Sequence, residues 1–342
     1  MLKSRANNQC LIIAEIGSVH DGSYGNAQKL IEAAAECGVD AVKFQTHIAE
    51  AETLPDAPMP SFFQSEHRFA YFQRTAFSLD QWVRLREHCQ SCKVEFMSSP
   101  FSNEAVDLLE SVGIARYKIP SGEVTNLPLL ARVAQTGKPV LLSSGMSSWE
   151  ELDVAVSEIR KVHENITILQ CTSEYPCPYD QVGLNVMQEM KERYGLTVGL
   201  SDHTLTLYAS FAAATLGAVA IERHFTFSRK MYGSDARHSL EPAELTDLVQ
   251  GIRAIETMLK ARVGKADASR FRDMKQVFEK SLVTKQDIPA GTVISRDMIG
   301  IKKPGTGIPA GRIDEVVGRR AVRSVKADML LAWEDVQGVV GP

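Results

Sequence analysis

The 342-residue sequence predicts a parallel (β/α)8 barrel, an α/β fold, followed by a small β-rich domain. Three observations predict it. Eight short apolar or β-branched runs recur between Leu11 and Thr226, and segments with apolar residues at three- and four-residue spacing lie between them. From Ser281 onward the pattern changes to short β runs broken by Pro-Ala-Gly and Pro-Gly turns. Strand–helix alternation repeated eight times points to a closed barrel rather than an open sheet.

The runs are LIIAEIG (11–17), VDAVKFQT (39–46), KVEFMSSP (93–100), ARYKIPS (115–121), PVLLSSG (139–145), ITILQCTS (166–173), TVGLSDH (197–203) and AVAIERHFT (218–226). They read as nearly continuous apolar stretches because barrel strands are buried on both faces. Between the first two, Leu30, Ile31, Ala34 and Ala35 form one helical face and Gly38 is placed as a C-terminal cap. In SNEAVDLLESVG, Ser102 or Asn103 is the N-cap and Gly113 the stop. The expected division is a barrel over 1–262, a charged linker over 263–280 and the β-rich domain over 281–342.

Composition narrows the function classes. The chain is 44% hydrophobic and 23% charged with a net charge of −4, so it has the core of a globular protein and no broad basic surface for nucleic acid or an anionic membrane. No apolar run reaches membrane-span length, and MLKSRANNQC has no signal-like apolar region, so a cytoplasmic protein is expected. Six scattered cysteines do not form a disulfide framework. Cys89 and Cys92 make a C-x-x-C inside a helical stretch, with no second pair to complete a zinc site.

In a parallel barrel all strand C-termini meet at one face, where active sites are built. Polar residues gather at those ends here: Glu15, Lys43, Gln45, Ser98, Ser99, Lys118, Ser121, Glu123, Ser143, Ser144, Thr172, Tyr175, His203, Glu222 and His224. Lys43 and Lys118 lie inside apolar strands, and burying each without a counter-charge costs several kcal/mol. They therefore need anions. With Ser99, Ser121 and Ser143 they suit the phosphate and carboxylate of a small phosphorylated acid. The competing reading pairs them internally with Glu15 and Glu123. His203 and His224 end adjacent strands, and two neutral imidazoles suit an exchangeable divalent cation with open positions. The alternative is a pair of core histidines.

IIAEIGSVHDG, VKFQTH, FMSSPFS, YKIPSGE, LLSSGM, CTSEYPCPY, GLSDHT, IERHFT and GSDARHSLEP together resemble the sialic acid synthase family, in the same order and over nearly the whole chain. Members of that family condense phosphoenolpyruvate with an N-acetylmannosamine-type sugar. The segment from Ser281 resembles the antifreeze-like (SAF) domain that follows the barrel in this family and leans over the partner's active site, which implies a homodimer.

The resemblance implies roles residue by residue. His203 and His224 match the ligands of manganese or magnesium, and Glu15 the carboxylate beside the metal and the reacting centre. Lys43, Ser99, Lys118, Ser121 and Ser143 match the phosphoenolpyruvate site. Gln45, Glu123, Tyr175 and Asp235 match positions that hold the acceptor sugar, and either Glu15 or Glu123 steers the water that adds to C2. Lys303, in KKPGTG, stands where relatives usually carry an arginine that reaches the partner's acetamido group; lysine keeps the charge and loses the planar fork. Ser18-Val19 before His20, and Ser173-Glu174 in CTSEYP, also depart from the family pattern and bear on the acceptor's identity. Rival readings are another phosphoenolpyruvate-condensing 3-deoxy-keto-acid synthase, a Schiff-base aldolase with Lys118 as nucleophile, and a barrel without enzymatic activity.

Overall fold

The computed structural model describes residues 9–58 and 66–338. Eight strands close a parallel barrel in sequence order: β1 (Leu11–Gly17), β2 (Ala41–Thr46), β3 (Glu95–Pro100), β4 (Tyr117–Ile119), β5 (Val140–Ser143), β6 (Ile166–Cys171), β7 (Thr197–Ser201) and β8 (Ala220–His224). The predicted barrel is present, and each predicted run contains its strand. Helix caps follow the sequence signals. Ser102 Oγ accepts from the Ala105 N–H at 3.1 Å to open the helix Asn103–Val112, and Gly113, at φ +84°, closes it.

Strand alternation sorts the side chains between the barrel interior and the helix layer. Ile12, Ala14 and Ile16 of β1, and Val42 and Phe44 of β2, pack outward into the main core. Leu11, Ile13, Ala41, Met97, Leu141, Leu169 and Ala220 form a separate small cluster, an apolar plug inside the barrel. One step further along the same inward columns stand Glu15, Lys43, Ser99, Ser143, Cys171 and Glu222. The register lays Glu15 beside Lys43 on one side and His224 on the other. Gly199 belongs to this interior: a Cβ there would lie 2.4 Å from the Ala220 carbonyl oxygen and 2.6 Å from Leu169 Cδ2, so the close approach excludes any side chain.

Most strands are shorter than their runs, and at β4 and β7 the early stop falls at site residues. β4 ends at Ile119, because Pro120 follows and Ser121–Glu123 turn into a 3-10 helix. β7 ends at Ser201, because Asp202 Oδ1 accepts from the Thr204 N–H at 2.8 Å and folds the chain into a turn. Ser121 and His203 therefore sit just past their strands.

The chain divides into two compact units at Ala261/Arg262. In the second, β9 (Ser281–Thr284) and β10 (Ile299–Lys302) form an antiparallel pair beside a core that includes Leu282, Ile288, Ile294, Ile308, Val325 and Leu331. The segment expected as a linker carries a 3-10 turn at Ser269–Phe271 and the helix Arg272–Phe278, both within this second unit. Among the described residues, no helix is long and apolar enough to cross a membrane.

Candidate active site

At the C-terminal end of the barrel lies a cavity of about 470 Å³. Its floor is a row of four buried charges. Lys43 Nζ lies 2.7 Å from Glu15 Oε2 and 3.7 Å from Glu222 Oε1, and Lys118 Nζ donates to Glu222 Oε1 at 2.9 Å. The set sums to zero charge, as buried ions require. Burial pushes the Glu15 carboxyl up. Burial acts on Glu222 in the same sense, yet the Lys118 and Lys43 ammoniums outweigh it and hold that carboxyl well below the usual range.

This floor corrects one expectation. Lys118 pairs internally with Glu222, across the barrel, and not with Glu123. Glu222 was legible as a charge in an apolar strand, AVAIERH, in step with His224, but its pairing depends on barrel closure. Glu123 does not line the cavity; its carboxylate accepts from Asn126 Nδ2 at 2.8 Å. Ser99 is fully buried behind the lining, where its hydroxyl accepts from Lys43 Nζ at 3.2 Å. It holds the lysine. Ser121 and Ser143 do line the cavity. Ser121 Oγ accepts from the Gly145 N–H at 3.0 Å, and Ser143 Oγ is buried with no hydrogen-bond partner among the described residues.

The two histidines meet, with ring centroids 5.5 Å apart. His203 Nδ1 donates to the Thr172 carbonyl at 2.9 Å, which fixes the tautomer and leaves the Nε2 lone pair available. His224 Nδ1 is buried without a hydrogen-bond partner among the described residues, and its nearest acidic group, Asp235 Oδ2, is 4.0 Å away. Burial, reinforced by His203 and Lys43, pushes His224 down to about 4, so it is neutral at pH 7. Two adjacent imidazoles, one with an orphaned nitrogen, fit a divalent cation. No group of three or more His, Cys, Asp or Glu is arranged around a metal position among the described residues, so water or substrate would complete the shell. Tyr175 stacks on His203 with centroids 4.2 Å apart.

Sequence reasoning missed what holds the histidines. Asp202 and Arg223, each beside one of them, form a buried ion pair of 2.6 Å. Arg223 also donates to the Thr206 carbonyl at 2.7 Å and the Thr204 carbonyl at 2.6 Å, fastening the turn that carries His203 to the strand that carries His224. The signal was present: strand alternation sends Arg223 to the opposite face from Glu222 and His224. Gln45 lines the cavity and donates through Nε2 to Glu15 Oε1 at 2.8 Å. Asp235 lines it too. Lys303 lies in the second unit, its Nζ 5.0 Å from the centre of the Phe278 ring.

Residues 30–264 match the NeuB family and residues 279–337 the SAF domain. This chain belongs to the NeuB family. It is 40% identical over 329 residues to an N,N'-diacetyllegionaminic acid synthase of Campylobacter jejuni, a match covering 94% of this chain and 98% of that protein. A protein of the same name from Legionella pneumophila is 35% identical over 347 residues, 98% of this chain and 97% of that one. The crystal structure of an N-acetylneuraminic acid synthetase from Leptospira borgpetersenii, bound to citrate, matches with a TM-score of 0.69 at 30% identity, covering 79% of this chain and 92% of that one. As a NeuB-family member the chain is an enzyme of the synthase type, as its resemblance to the sialic acid synthases implied.

Proposed function

We propose that this enzyme condenses phosphoenolpyruvate with the open-chain aldehyde of an acetamido hexose and water, giving a nine-carbon 2-keto-3-deoxy sugar acid and phosphate. The observation that carries the reading is the floor of the cavity, where two buried lysines and the unpartnered Ser143 hydroxyl meet beside two adjacent imidazoles. Lys43, Lys118, Ser121 and Ser143 hold the phosphate and carboxylate, and Ser99 orients Lys43. Because the four floor charges already cancel, a multiply anionic substrate brings excess negative charge, and a divalent cation offsets it. His203 and His224 would hold that cation, manganese or magnesium, which supplies Lewis-acid polarisation of the aldehyde oxygen when bound.

Carbon 3 of phosphoenolpyruvate attacks the aldehyde carbon. Glu15, whose carboxyl burial pushes up, takes a proton from the water that adds at C2. Cleavage of the C2–O bond then releases phosphate. Gln45, Tyr175 and Asp235 face the acceptor; Glu123, bonded to Asn126, is not among the lining residues. A Schiff-base role for Lys118 is disfavoured by its contact with Glu222 Oε1 at 2.9 Å, which engages the nitrogen a nucleophile would have to present to the substrate.

The 40% identity to an N,N'-diacetyllegionaminic acid synthase supports an acceptor with two acetamido groups. The SAF domain supports a homodimer in which Lys303 reaches the partner's acceptor. Phosphate release across N-acetylmannosamine, its 6-phosphate, mannose and diacetamido hexoses tests the reading. The diacetamido sugar is expected to give the highest kcat/KM, and release that no sugar stimulates would end it.

A further inference from the structure

We infer that His47, clamped by Glu52, is a positioning residue that fixes which way the Gln45 amide faces in the cavity. The inference rests on the proposed acceptor site and concerns His47, which lines the same cavity beside Gln45. A glutamine amide is nearly symmetric in shape but opposite in polarity at its two ends, so its orientation is set by its neighbours. Gln45 Nε2 donates to Glu15 Oε1 at 2.8 Å, and Glu15, ion-paired with Lys43 at 2.7 Å, offers a carboxylate that only accepts. The amide oxygen then faces His47, whose Nε2 lies 3.1 Å from Gln45 Oε1. A carbonyl oxygen accepts, so His47 Nε2 carries the hydrogen.

The ring that supplies this hydrogen has almost no freedom. It is stacked between Phe72, at 3.7 Å between centroids and 7° between planes, and Phe101, at 4.1 Å and 23°. Its far nitrogen, Nδ1, lies 2.7 Å from Glu52 Oε1, with a second hydrogen between them because two bare acceptors would not approach so closely, and Glu52 Oε2 accepts from the Ile48 N–H at 3.3 Å. Both side chains of the His47–Glu52 pair are 5% exposed. A continuous line of contacts therefore runs from Glu52 through His47, Gln45 and Glu15 to Lys43. Its consequence for chemistry is polarity. With one amino hydrogen given to Glu15, the other hydrogen on Gln45 Nε2 is left for an oxygen of the acceptor. A flipped amide would set oxygen against the Glu15 carboxylate and present the wrong polarity to the sugar.

His47→Phe keeps the stack and removes the donor. The acceptor KM is expected to rise about tenfold, the order of one lost buried hydrogen bond, with the phosphoenolpyruvate KM within twofold of wild type. Because His47 acts through Gln45, the double variant Gln45→Met/His47→Phe should be no worse than Gln45→Met alone. Multiplying losses, or an equal rise in the phosphoenolpyruvate KM, would overturn the inference. Glu52→Met, combined with Gln45→Met in the same cycle, gives the same decision if the phenylalanine variant does not fold. A readout without substrate separates this inference from the acceptor reading. The Gln45 side-chain amide resonance, assigned by its loss in Gln45→Met, should be slow to exchange in the wild-type enzyme and lose that protection in His47→Phe or Glu52→Met. An unchanged resonance refutes the positioning role even if no tested sugar is turned over.

Discussion

Two substitutions break the same buried ion pair from opposite sides, and they should affect phosphoenolpyruvate differently. Lys118 Nζ and Glu222 Oε1 are 2.9 Å apart, and Lys43 is 3.7 Å from the same oxygen. At an effective dielectric of 20, unit charges 2.9 Å apart attract by roughly 6 kcal/mol before desolvation. Truncating one partner of such a buried pair has a net cost of about 2–5 kcal/mol. Both variants should thus unfold more readily than wild type. If Lys118 also grips the substrate anion, Lys118→Met loses that contact, and about 2.7 kcal/mol corresponds to roughly a hundredfold rise in the phosphoenolpyruvate KM. Glu222→Gln instead removes a competing carboxylate and leaves both lysines for the substrate, so its phosphoenolpyruvate KM should stay level or fall. The assay is phosphate release at saturating acceptor and varied phosphoenolpyruvate, alongside thermal unfolding of each variant. A normal phosphoenolpyruvate response in Lys118→Met would leave the lysine as an internal counter-ion only. A rise in Glu222→Gln matching that in Lys118→Met would show that the pair serves structure alone.

His203→Ala and His224→Ala should each abolish turnover while near-ultraviolet dichroism stays native, and a chelator should do the same reversibly; wild-type rates in both tests would return the histidines to a core role. Arg223→Met should destabilise the barrel by about 3–5 kcal/mol, because it leaves Asp202 buried and unpaired, and should weaken Mn2+ binding followed by paramagnetic resonance; unchanged metal affinity would detach the Asp202–Arg223 pair from the histidines. The Glu222 carboxyl is held at about 2 against an ordinary 4.5, so its ion pair contributes fully above pH 4.5 and is lost as pH falls toward 2. Denaturation midpoints measured from pH 5 downward should fall less steeply in Glu222→Gln than in wild type, and parallel slopes would contradict the assignment.

Much of the site was legible because a parallel barrel converts sequence position into spatial position. Once eight runs are recognised, the period-two alternation puts Glu15, Lys43 and His224 on the inward face at the same end. Pairing across the barrel was not legible. β4 and β8 share no hydrogen bonds, so nothing local in YKIPSGE signals that Lys118 meets Glu222, whereas Glu123, five residues along, looked like the nearer partner. Strand ends were the other gap. Pro120 and the Asp202 turn stop their strands early, which puts Glu123 in a 3-10 turn and makes the placement of His203 depend on Arg223. His47 was invisible for a related reason. The motif VKFQTH places it beyond Gln45, and only the fold brings Phe72 and Phe101 against its two faces.

In the proposed reaction phosphoenolpyruvate loses phosphate by C–O cleavage only when its carbon 3 bonds to a sugar. Phosphoenolpyruvate labelled with oxygen-18 in the bridging position tests it most directly, with mass spectrometry of the released phosphate in the presence and absence of a diacetamido hexose. Phosphate should appear only with the sugar, carry the label, and match the 2-keto acid mole for mole. Unlabelled phosphate, or release that proceeds without an acceptor, would contradict the account.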